Sequence, residues 1–215
     1  MPTIMVFGAG PGIGFETAHR FAQEGFDLVL ASRDPAKLGD QLDALRATGV
    51  AVTTEAVDAT DGRAVSELVA RYADQLDVLV YNAAALRFGP TIDQVAPETF
   101  DEDIQVGISS AMRAIQAVLP AMTGRGSGTI LLTGGGLADH PSPIGLTLSA
   151  AKAGLRATGQ ALFEPLRAQG VHIATVTVMV PVTPGSEHAR QIADIYWQIH
   201  SAPADAWDYE HRFTP

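Results

Sequence analysis

The sequence predicts an α/β fold, a doubly wound parallel sheet of about seven strands with helices on both faces. Short β-branched runs alternate with longer segments of helical period, which is the pattern of consecutive βαβ units. A glycine-rich turn joins the first strand to the first helix. Hydrophobic residues make up 47% of the 215 residues and charged residues 18%, so the chain can bury a large core. We expect one domain over residues 1–215, because single α/β domains of this size are common.

The predicted elements alternate along the whole chain. Strands are expected near 3–8, 26–31, 50–57, 76–81, 128–133, 171–180 and 207–213, and helices near 12–24, 35–47, 62–74, 98–122, 146–168 and 187–199. Asp34 and Asp61 are expected to cap helix starts. Glycines at 25, 49 and 170 follow helix ends, where a left-handed residue is favoured. Pro165 falls late in the fifth helix and is expected to bend or shorten it.

The composition excludes several classes of function. A formal charge of −10 leaves no clusters of Lys and Arg of the kind that bind nucleic acids or anionic membranes. No stretch reaches the roughly 18 apolar residues of a membrane span, and the apolar start lacks the basic segment of a targeting signal. Because there is no cysteine and the six histidines show no ligand spacing, we expect no disulfide and no metal site. A reducing, cytoplasmic location fits this composition.

The turn after the first strand is the first candidate binding site. Gly8, Gly10, Gly12 and Gly14 let the backbone turn sharply, and Ile13 lies at the start of a helix whose free N–H groups would face an anion. Between a strand and a helix, this pattern predicts that a dinucleotide binds through its pyrophosphate. The alternative is a purely structural turn.

The end of the second strand bears on the choice between NAD and NADP. A carboxylate about 20 residues after the glycines binds the ribose hydroxyls of NAD, whereas an arginine accommodates the 2′-phosphate of NADP. The segment Ser32-Arg33-Asp34 offers both groups, but Asp34 precedes a proline and has a sufficient role as a helix cap. We therefore favour NADP(H) over NAD(H), with Arg33 as the phosphate ligand. A solvent-exposed surface arginine is the alternative.

A second motif lies on the fifth predicted helix. The run Leu148-Ser149-Ala150-Ala151-Lys152 resembles the active-site helix of the short-chain dehydrogenases/reductases, and the resemblance extends over nearly the whole chain. It implies a Rossmann-like fold, a nicotinamide cofactor and a carbonyl or alcohol substrate. It also implies that the family's asparagine, serine, tyrosine and lysine fall on Gly107, Gly135, Leu148 and Lys152. Only the lysine is present, so ordinary carbonyl reduction should be severely impaired.

The same resemblance implies further cofactor contacts. It places the aspartate that contacts adenine at Asp58, where a turn-capping aspartate is the alternative. The remaining positions follow the third, fourth and sixth strands: Ala59, Asn82, Ala83, Ala84, Pro181 and Val182. Where the family has a glycine that lets the backbone pass close to the cofactor, Ala84 adds a methyl group.

Several functions stay open at this point. His140, in the loop after three consecutive glycines, is a candidate replacement acid, with a solvent-exposed histidine as the alternative. The segment from Pro181 to Gly185 leaves little chain to cover a substrate. The protein is then an oxidoreductase with displaced chemistry, a non-catalytic NADP(H) sensor or regulatory subunit, or a scaffold without nucleotide. By analogy, the helices at 98–122 and 146–168 would pair in a homodimer or homotetramer.

Overall fold

The computed structural model describes residues 1 to 215 and confirms the predicted α/β class. Seven strands form one parallel sheet in the order β3-β2-β1-β4-β5-β6-β7. They are β1 Thr3–Phe7, β2 Asp27–Ser32, β3 Val52–Ala56, β4 Leu76–Tyr81, β5 Gly128–Thr133, β6 Val171–Val178 and β7 Glu210–Phe213. The chain reverses its direction across the sheet between β1 and β4. The carboxyl ends of these two strands therefore open a crevice, which is where doubly wound sheets bind ligands.

Helices cover both faces of the sheet. They are α1 Ile13–Gln23, α2 Asp40–Arg46, α3 Gly62–Tyr72, α4 Pro97–Ile104, α5 Ser110–Arg125, α6 Leu146–Arg167 and α7 Glu187–Ser201. One core of 24 buried residues lies between the sheet and α3, α5 and α6, and a second core of 20 residues lies under α1, α2 and α7. The cores are similar in size, as expected for parallel strands that are buried on both sides. None of the helices is long and apolar enough to cross a membrane.

Two of the predicted helices are divided. Residues 35–47 form a 3₁₀ turn, Pro35–Leu38, followed by α2, because Gly39 between them takes a φ of +45°. Asp34 precedes the turn but its side chain makes no capping bond, so the predicted cap is wrong. The predicted helix at 98–122 is split into α4 and α5 by a π turn over Gln105–Ser109. A π turn inserts one residue into the hydrogen-bond ladder, and hydrophobic periodicity alone does not reveal it.

The other predicted helix ends are largely confirmed. Asp61 caps α3 by accepting bonds from the N–H groups of Arg63 and Ala64. Gly25, Gly49 and Gly170 all have positive φ at helix ends. Pro165 does not end its helix, because α6 continues to Arg167.

Candidate active site

The glycine loop between β1 and α1 admits no side chain at two of its four glycines. Gly8 has a φ of +76°, and a Cβ there would lie 2.7 Å from the backbone nitrogen of Ala83. A Cβ on Gly14 would lie 2.4 Å from the carbonyl oxygen of Gly8. At Gly10 and Gly12 a Cβ would meet nothing within 4 Å. The loop therefore packs tightly at its two ends and presents open backbone at the positive end of α1.

Asn82, at the end of β4, holds this loop in place. Its side-chain amide donates to the carbonyl oxygen of Gly8 (2.9 Å), and its backbone N–H donates to that of Phe7 (2.9 Å). Ala83 follows in contact with the loop, and Ala84 is half-buried next to it. The asparagine that the sequence indicates as a cofactor ligand thus supports the loop from behind.

The carboxyl end of β2 lies beside the glycine loop. The Ser32 hydroxyl is buried and has no hydrogen-bond partner in the protein, which is uncommon for a buried polar group. The Arg33 side chain is exposed. The neighbouring Asp34 faces Lys37, at 3.8 Å between Oδ2 and Nζ, and leaves Arg33 without an ion pair. A donor and a cation are therefore available together at the end of this strand.

Asp58 and Ala59 follow β3 and have structural roles. An Asp58 carboxylate oxygen accepts from the backbone N–H of Thr60 (2.9 Å), which supports the turn-capping interpretation of this aspartate. The carbonyl oxygen of Ala59 accepts from the Ser110 hydroxyl (2.7 Å), so the turn is tied to the start of α5.

These residues fit a dinucleotide by position and charge. Open backbone at Gly10 and Gly12, in front of Ile13 and the positive end of α1, suits a pyrophosphate. The unpartnered Ser32 hydroxyl suits a ribose hydroxyl, and the Arg33 guanidinium suits a phosphate on that ribose.

Lys152 and Leu148 lie on the same face of α6, one turn apart. The Leu148 side chain is 4% exposed. The Lys152 Nζ donates to the carbonyl oxygen of Thr133, at 2.7 Å, where β5 ends. Burial lowers the pKa of the Lys152 ammonium to about 8, because desolvation disfavours its charged form. The cation is thus held against the sheet with an apolar side chain as its neighbour on the helix.

The two glycines singled out near Lys152 differ in their surroundings. A Cβ on Gly135 would lie 3.4 to 3.5 Å from the methylenes of Lys152, which is ordinary van der Waals contact. Gly107 lies in the π turn, and a Cβ there would lie 2.4 Å from the Cβ of Ala151 on α6. The structure therefore has room for a small side chain at Gly135 but none at Gly107.

The loop after Gly135 offers no buried acid. His140 is exposed, in agreement with the solvent interpretation of this residue. Asp139 is bonded to Arg212 and lies 3.4 Å from Arg156, and the Arg212 hydrogen bond holds the pKa of the Asp139 carboxyl below its usual range. Asp139 is consequently a carboxylate at neutral pH and has no proton to donate.

Sequence reasoning missed two supports of this region. The Thr133 hydroxyl is bonded to the Tyr196 hydroxyl at 2.6 Å, so the strand end that Lys152 contacts is fixed to α7 as well. The Tyr81 hydroxyl donates to the carbonyl oxygen of Val106 at 2.6 Å and so satisfies a group in the π turn. From the sequence, both tyrosines were interpreted as packing residues. Their hydrogen bonds in the structure show that they also hold neighbouring elements in place.

The loop 179–186 joins β6 to α7 directly. Pro181 is exposed and Val182 packs against the α7 side of the sheet. No helix intervenes between the strand and α7, as the sequence predicts. The carboxyl end of the sheet is therefore left uncovered on this side.

A cleft of about 450 Å³ opens where α4 meets the start of α6. We call it the α4–α6 cleft. It is lined by Leu86, Arg87, Phe88, Pro90, Ile92, Gln94, Val95, Ala96, Thr99, Asp103, Ile144, Leu146 and Thr147. Leu146 and Thr147 line it, so the cleft borders the first residues of α6, whereas Leu148 and Lys152 are not part of its walls. The cleft was not predicted from the sequence, because its walls come from three separate segments.

Known proteins share this architecture. The family model described as short chain dehydrogenase matches residues 2–193. The chain is 32% identical over 188 residues to 3-dehydrosphinganine reductase TSC10B of Arabidopsis thaliana, which covers 86% of this chain and 56% of that relative. The chain thus spans little more than half the length of that relative.

Two solved structures are also similar. A metagenomic short-chain oxidoreductase in complex with NADP has a TM-score of 0.89 and 26% identity, covering 100% of this chain and 97% of that chain. A short-chain dehydrogenase from Sphingobium yanoikuyae in complex with NADPH has a TM-score of 0.86 and 25% identity, covering 99% and 87%. With the glycine loop, the sheet order and the family model in agreement, the chain belongs to the short-chain dehydrogenase/reductase family of oxidoreductases.

Proposed function

We propose that the protein binds NADP(H) and transfers a hydride to or from a carbonyl or alcohol substrate without a tyrosine as proton donor. The pair Leu148 and Lys152 carries this proposal. The two residues stand one turn apart on the face of α6 beside the end of β5, in the arrangement that the family resemblance gives to its tyrosine and lysine. The lysine is retained and buried, whereas the proton donor is replaced by a hydrocarbon.

The chain's own residues would hold the cofactor at three points. Gly10 and Gly12 would bind the pyrophosphate, Ser32 and Arg33 the phosphorylated ribose, and Lys152 the ribose next to the nicotinamide. When bound, the nicotinamide supplies or accepts the hydride. The unpaired guanidinium of Arg33 favours NADP(H), and the two similar solved structures are complexes with NADP and NADPH.

The proposed catalytic defect is the absence of a side chain that donates a proton to the substrate oxygen. A placed general acid contributes roughly 10²- to 10⁴-fold in rate, and Leu148 has no proton to give. Gly135 offers no hydroxyl to bond the substrate oxygen, and Gly107 no side chain at all. The proton would come from Lys152, from water, from His140 at the exposed edge, or from an acidic substrate. We infer that turnover of ordinary ketones is slow.

A non-catalytic role as an NADP(H) sensor or regulatory subunit is the second candidate. It is favoured by one observation, the bond from the Lys152 Nζ to the carbonyl oxygen of Thr133. That bond ties the ammonium to the protein's own backbone through one of its three N–H groups and leaves two for a ribose. A protein that only binds the cofactor needs this cation for affinity and for nothing else.

Cofactor binding is tested first, by fluorescence titration with NADPH and, in parallel, NADH. We expect saturable binding with NADPH preferred. Arg33→Ala should weaken NADPH binding about tenfold and leave NADH unchanged, which corresponds to the loss of one charge-assisted contact. Arg63→Ala is the matched control, because Arg63 is an exposed arginine on α3 paired only with Glu67. Equal affinities for NADPH and NADH would contradict the proposed role of Arg33.

Turnover separates the two candidates. The pure protein is incubated at high concentration with NADPH and a panel of ketones and aldehydes, and in the reverse direction with NADP⁺ and alcohols. Slow but saturable oxidation of NADPH that disappears in Lys152→Ala supports the oxidoreductase. Tight NADPH binding with no turnover across the panel supports the sensor.

We further propose a homodimer or homotetramer in the cytoplasm. Met112 is half exposed on α5, beside a groove of about 590 Å³ between α5 and α6 that a second copy would fill. Light scattering coupled to size-exclusion chromatography measures the mass directly. Met112→Glu should shift an oligomer toward the monomer, and a monomeric wild-type protein would contradict the proposal.

A further inference from the structure

Lys152 is a buried cation without a counterion. Its Nζ donates to the carbonyl oxygen of Thr133 at 2.7 Å, and no carboxylate lies within ion-pair distance of it. The Asp139 carboxylate, in the loop after β5, is bonded to Arg212 and faces Arg156 instead. Because no charge compensates the ammonium, burial favours the neutral amine and lowers the pKa of Lys152 to about 8.

The neutral form of this amine is a nucleophile, whereas the ammonium is not. At pH 7.4 an ordinary lysine with a pKa near 10.4 is about 0.1% neutral, but one with a pKa near 8 is about 20% neutral. The bond to the Thr133 carbonyl uses an N–H group of Lys152, so it leaves the nitrogen lone pair of the neutral amine free. Lysines in such apolar surroundings are the ones that form imines with carbonyl compounds.

The loop after β5 leaves a space beside the lysine stem that no side chain fills. Gly135 is half-buried, and a Cβ built on it would lie 3.4 Å from Cγ and 3.5 Å from Cδ and Cε of Lys152. No other heavy atom outside the adjoining loop residues lies closer to that position. We call this space the Gly135 slot. It runs along the stem to the carbon that carries the amine, and Leu148 adds an apolar neighbour on the same face of α6.

We propose that Lys152 of the cofactor-free protein forms an imine with a small neutral aldehyde that enters through the Gly135 slot. The Nζ lone pair attacks the carbonyl carbon and the carbonyl oxygen takes up a proton. Loss of water then leaves a C=N bond, so one amine and one aldehyde give one imine and one water without any oxidant or reductant. A neutral aldehyde is favoured, since an anionic one would pair with the ammonium and keep the nitrogen protonated. The inference does not rest on the proposed hydride transfer.

The test traps the imine by reduction. The cofactor-free protein is incubated near neutral pH with propionaldehyde and sodium cyanoborohydride, which supplies a hydride to the C=N bond and fixes the aldehyde as a propyl group on nitrogen. Peptide mapping by mass spectrometry measures the labelling rate of each amine. Lys37 is the internal control, because it is the other lysine of the chain and its side chain is 80% exposed. We expect Lys152 to be labelled at least about tenfold faster than Lys37.

A variant at Gly135 tests the path to the amine. Gly135→Val fills the slot with two methyl groups and should slow the labelling of Lys152 at least about tenfold, while the rate at Lys37 stays unchanged. The extended backbone of Gly135, with a φ of −172°, accepts any residue. Gly124→Val is the matched control, because a side chain at Gly124 on α5 meets open space. The ratio of the two lysine rates in the wild-type protein decides the inference even if Gly135→Val does not fold.

Addition of NADP⁺ separates this inference from the proposed function. In that function Lys152 contacts the ribose, so saturating NADP⁺ should slow its labelling. Fast labelling of Lys152 that persists with NADP⁺ bound supports the imine and contradicts only the ribose contact. Labelling of Lys152 no faster than that of Lys37 in the cofactor-free protein overturns the inference, whatever the turnover assay shows. Fast labelling that is unchanged in folded Gly135→Val also overturns it, because the aldehyde then does not enter through the slot.

Discussion

The glycine loop between β1 and α1 and the glycines beside Lys152 lie on two sides of one crevice, and they differ in what a side chain would meet. Gly14 and Gly8 face backbone atoms at 2.4 and 2.7 Å, which cannot move aside. Gly135 faces only the flexible stem of Lys152 at 3.4 Å or more. Packing alone therefore requires Gly8 and Gly14, whether or not a cofactor binds. It does not require Gly135, so the missing hydroxyl there is not a steric necessity.

The comparison also identifies a glycine that neither backbone conformation nor packing requires, and for which a bound ligand is the remaining reason. Gly10 has no positive φ and no neighbour within 4 Å of its Cβ position, so neither conformation nor packing accounts for a glycine there. A pyrophosphate that lies against the backbone does. On the opposite side, Gly107 is explained by Ala151 on α6. The loop half thus contains two glycines that packing requires and two that it does not, and the half at Lys152 contains one of each.

The largest effect is expected from rebuilding the proton relay. Leu148→Tyr alone should not restore strong ketone reduction, because the substrate oxygen still lacks a hydroxyl partner at Gly135. Leu148→Tyr combined with Gly135→Ser should raise kcat/KM with NADPH by about 10²- to 10⁴-fold, since a placed donor and an oxyanion contact are both supplied. Gly135→Ser alone is the control. Strong reduction by the single Leu148→Tyr variant would show that the catalytic half is complete without the serine.

The next effect separates the two kinds of glycine in the loop. Gly14→Ala should destabilise the fold by about 1 to 3 kcal/mol, because the added methyl group meets the carbonyl of Gly8. Gly10→Val should leave the urea-unfolding midpoint close to wild type and weaken NADPH binding about 10- to 100-fold. Gly124→Ala, in open space on α5, is the control for both. Unchanged NADPH affinity in Gly10→Val would show that the pyrophosphate does not lie against Gly10.

An effect of similar size is expected where the π turn contacts α6. Gly107→Ala should cost about 1 to 3 kcal/mol in the free energy of unfolding, because its methyl group would overlap that of Ala151. In the background of Ala151→Gly the same change should cost less, with a coupling of about 0.5 to 3 kcal/mol. Urea unfolding of the four proteins measures the cycle. Additive costs would mean that the two positions do not touch in solution.

The sequence predicts the sheet well and the site only in part. Strand positions, the Asp61 cap and the glycine loop follow from period, capping chemistry and spacing, all of which are local. The π turn, the Thr133–Tyr196 bond and the α4–α6 cleft depend on residues that are far apart in the chain, such as Asp103 and Thr147. For Asn82 the position was predicted from the sequence but the contact was not. The sequence indicates a cofactor ligand, whereas in the structure its side-chain amide donates to the carbonyl oxygen of Gly8.

The smallest effect concerns acid stability, which we expect to depend on three histidines at the β5–β7 side of the sheet. His172 on β6, His200 on α7 and His211 on β7 are all on this side, and burial lowers the pKa of each imidazole. The ring of His172 is stacked on Trp207 with 4.6 Å between centroids. Protonation would place a charge in this packed interior.

The direction of the pH effect on stability follows from the difference in bound protons between the unfolded and the native state. A histidine in the unfolded chain takes up a proton near pH 6.5, whereas the buried histidines stay neutral, so the unfolded state binds more protons as the pH falls below about 6.5. The histidines should leave stability unchanged above pH 7 and lower it as the pH falls below about 6.5, by at most about 1.4 kcal/mol per pH unit for each histidine. The carboxylates with lowered pKa values, Glu55, Asp93, Asp139 and Glu210, add to the decline only from about pH 5 downward, where carboxyl groups of the unfolded chain begin to take up protons. His172→Gln should reduce the slope of unfolding free energy against pH, with exposed His140→Gln as the matched control. An unchanged slope in His172→Gln would assign the acid sensitivity to groups outside this cluster.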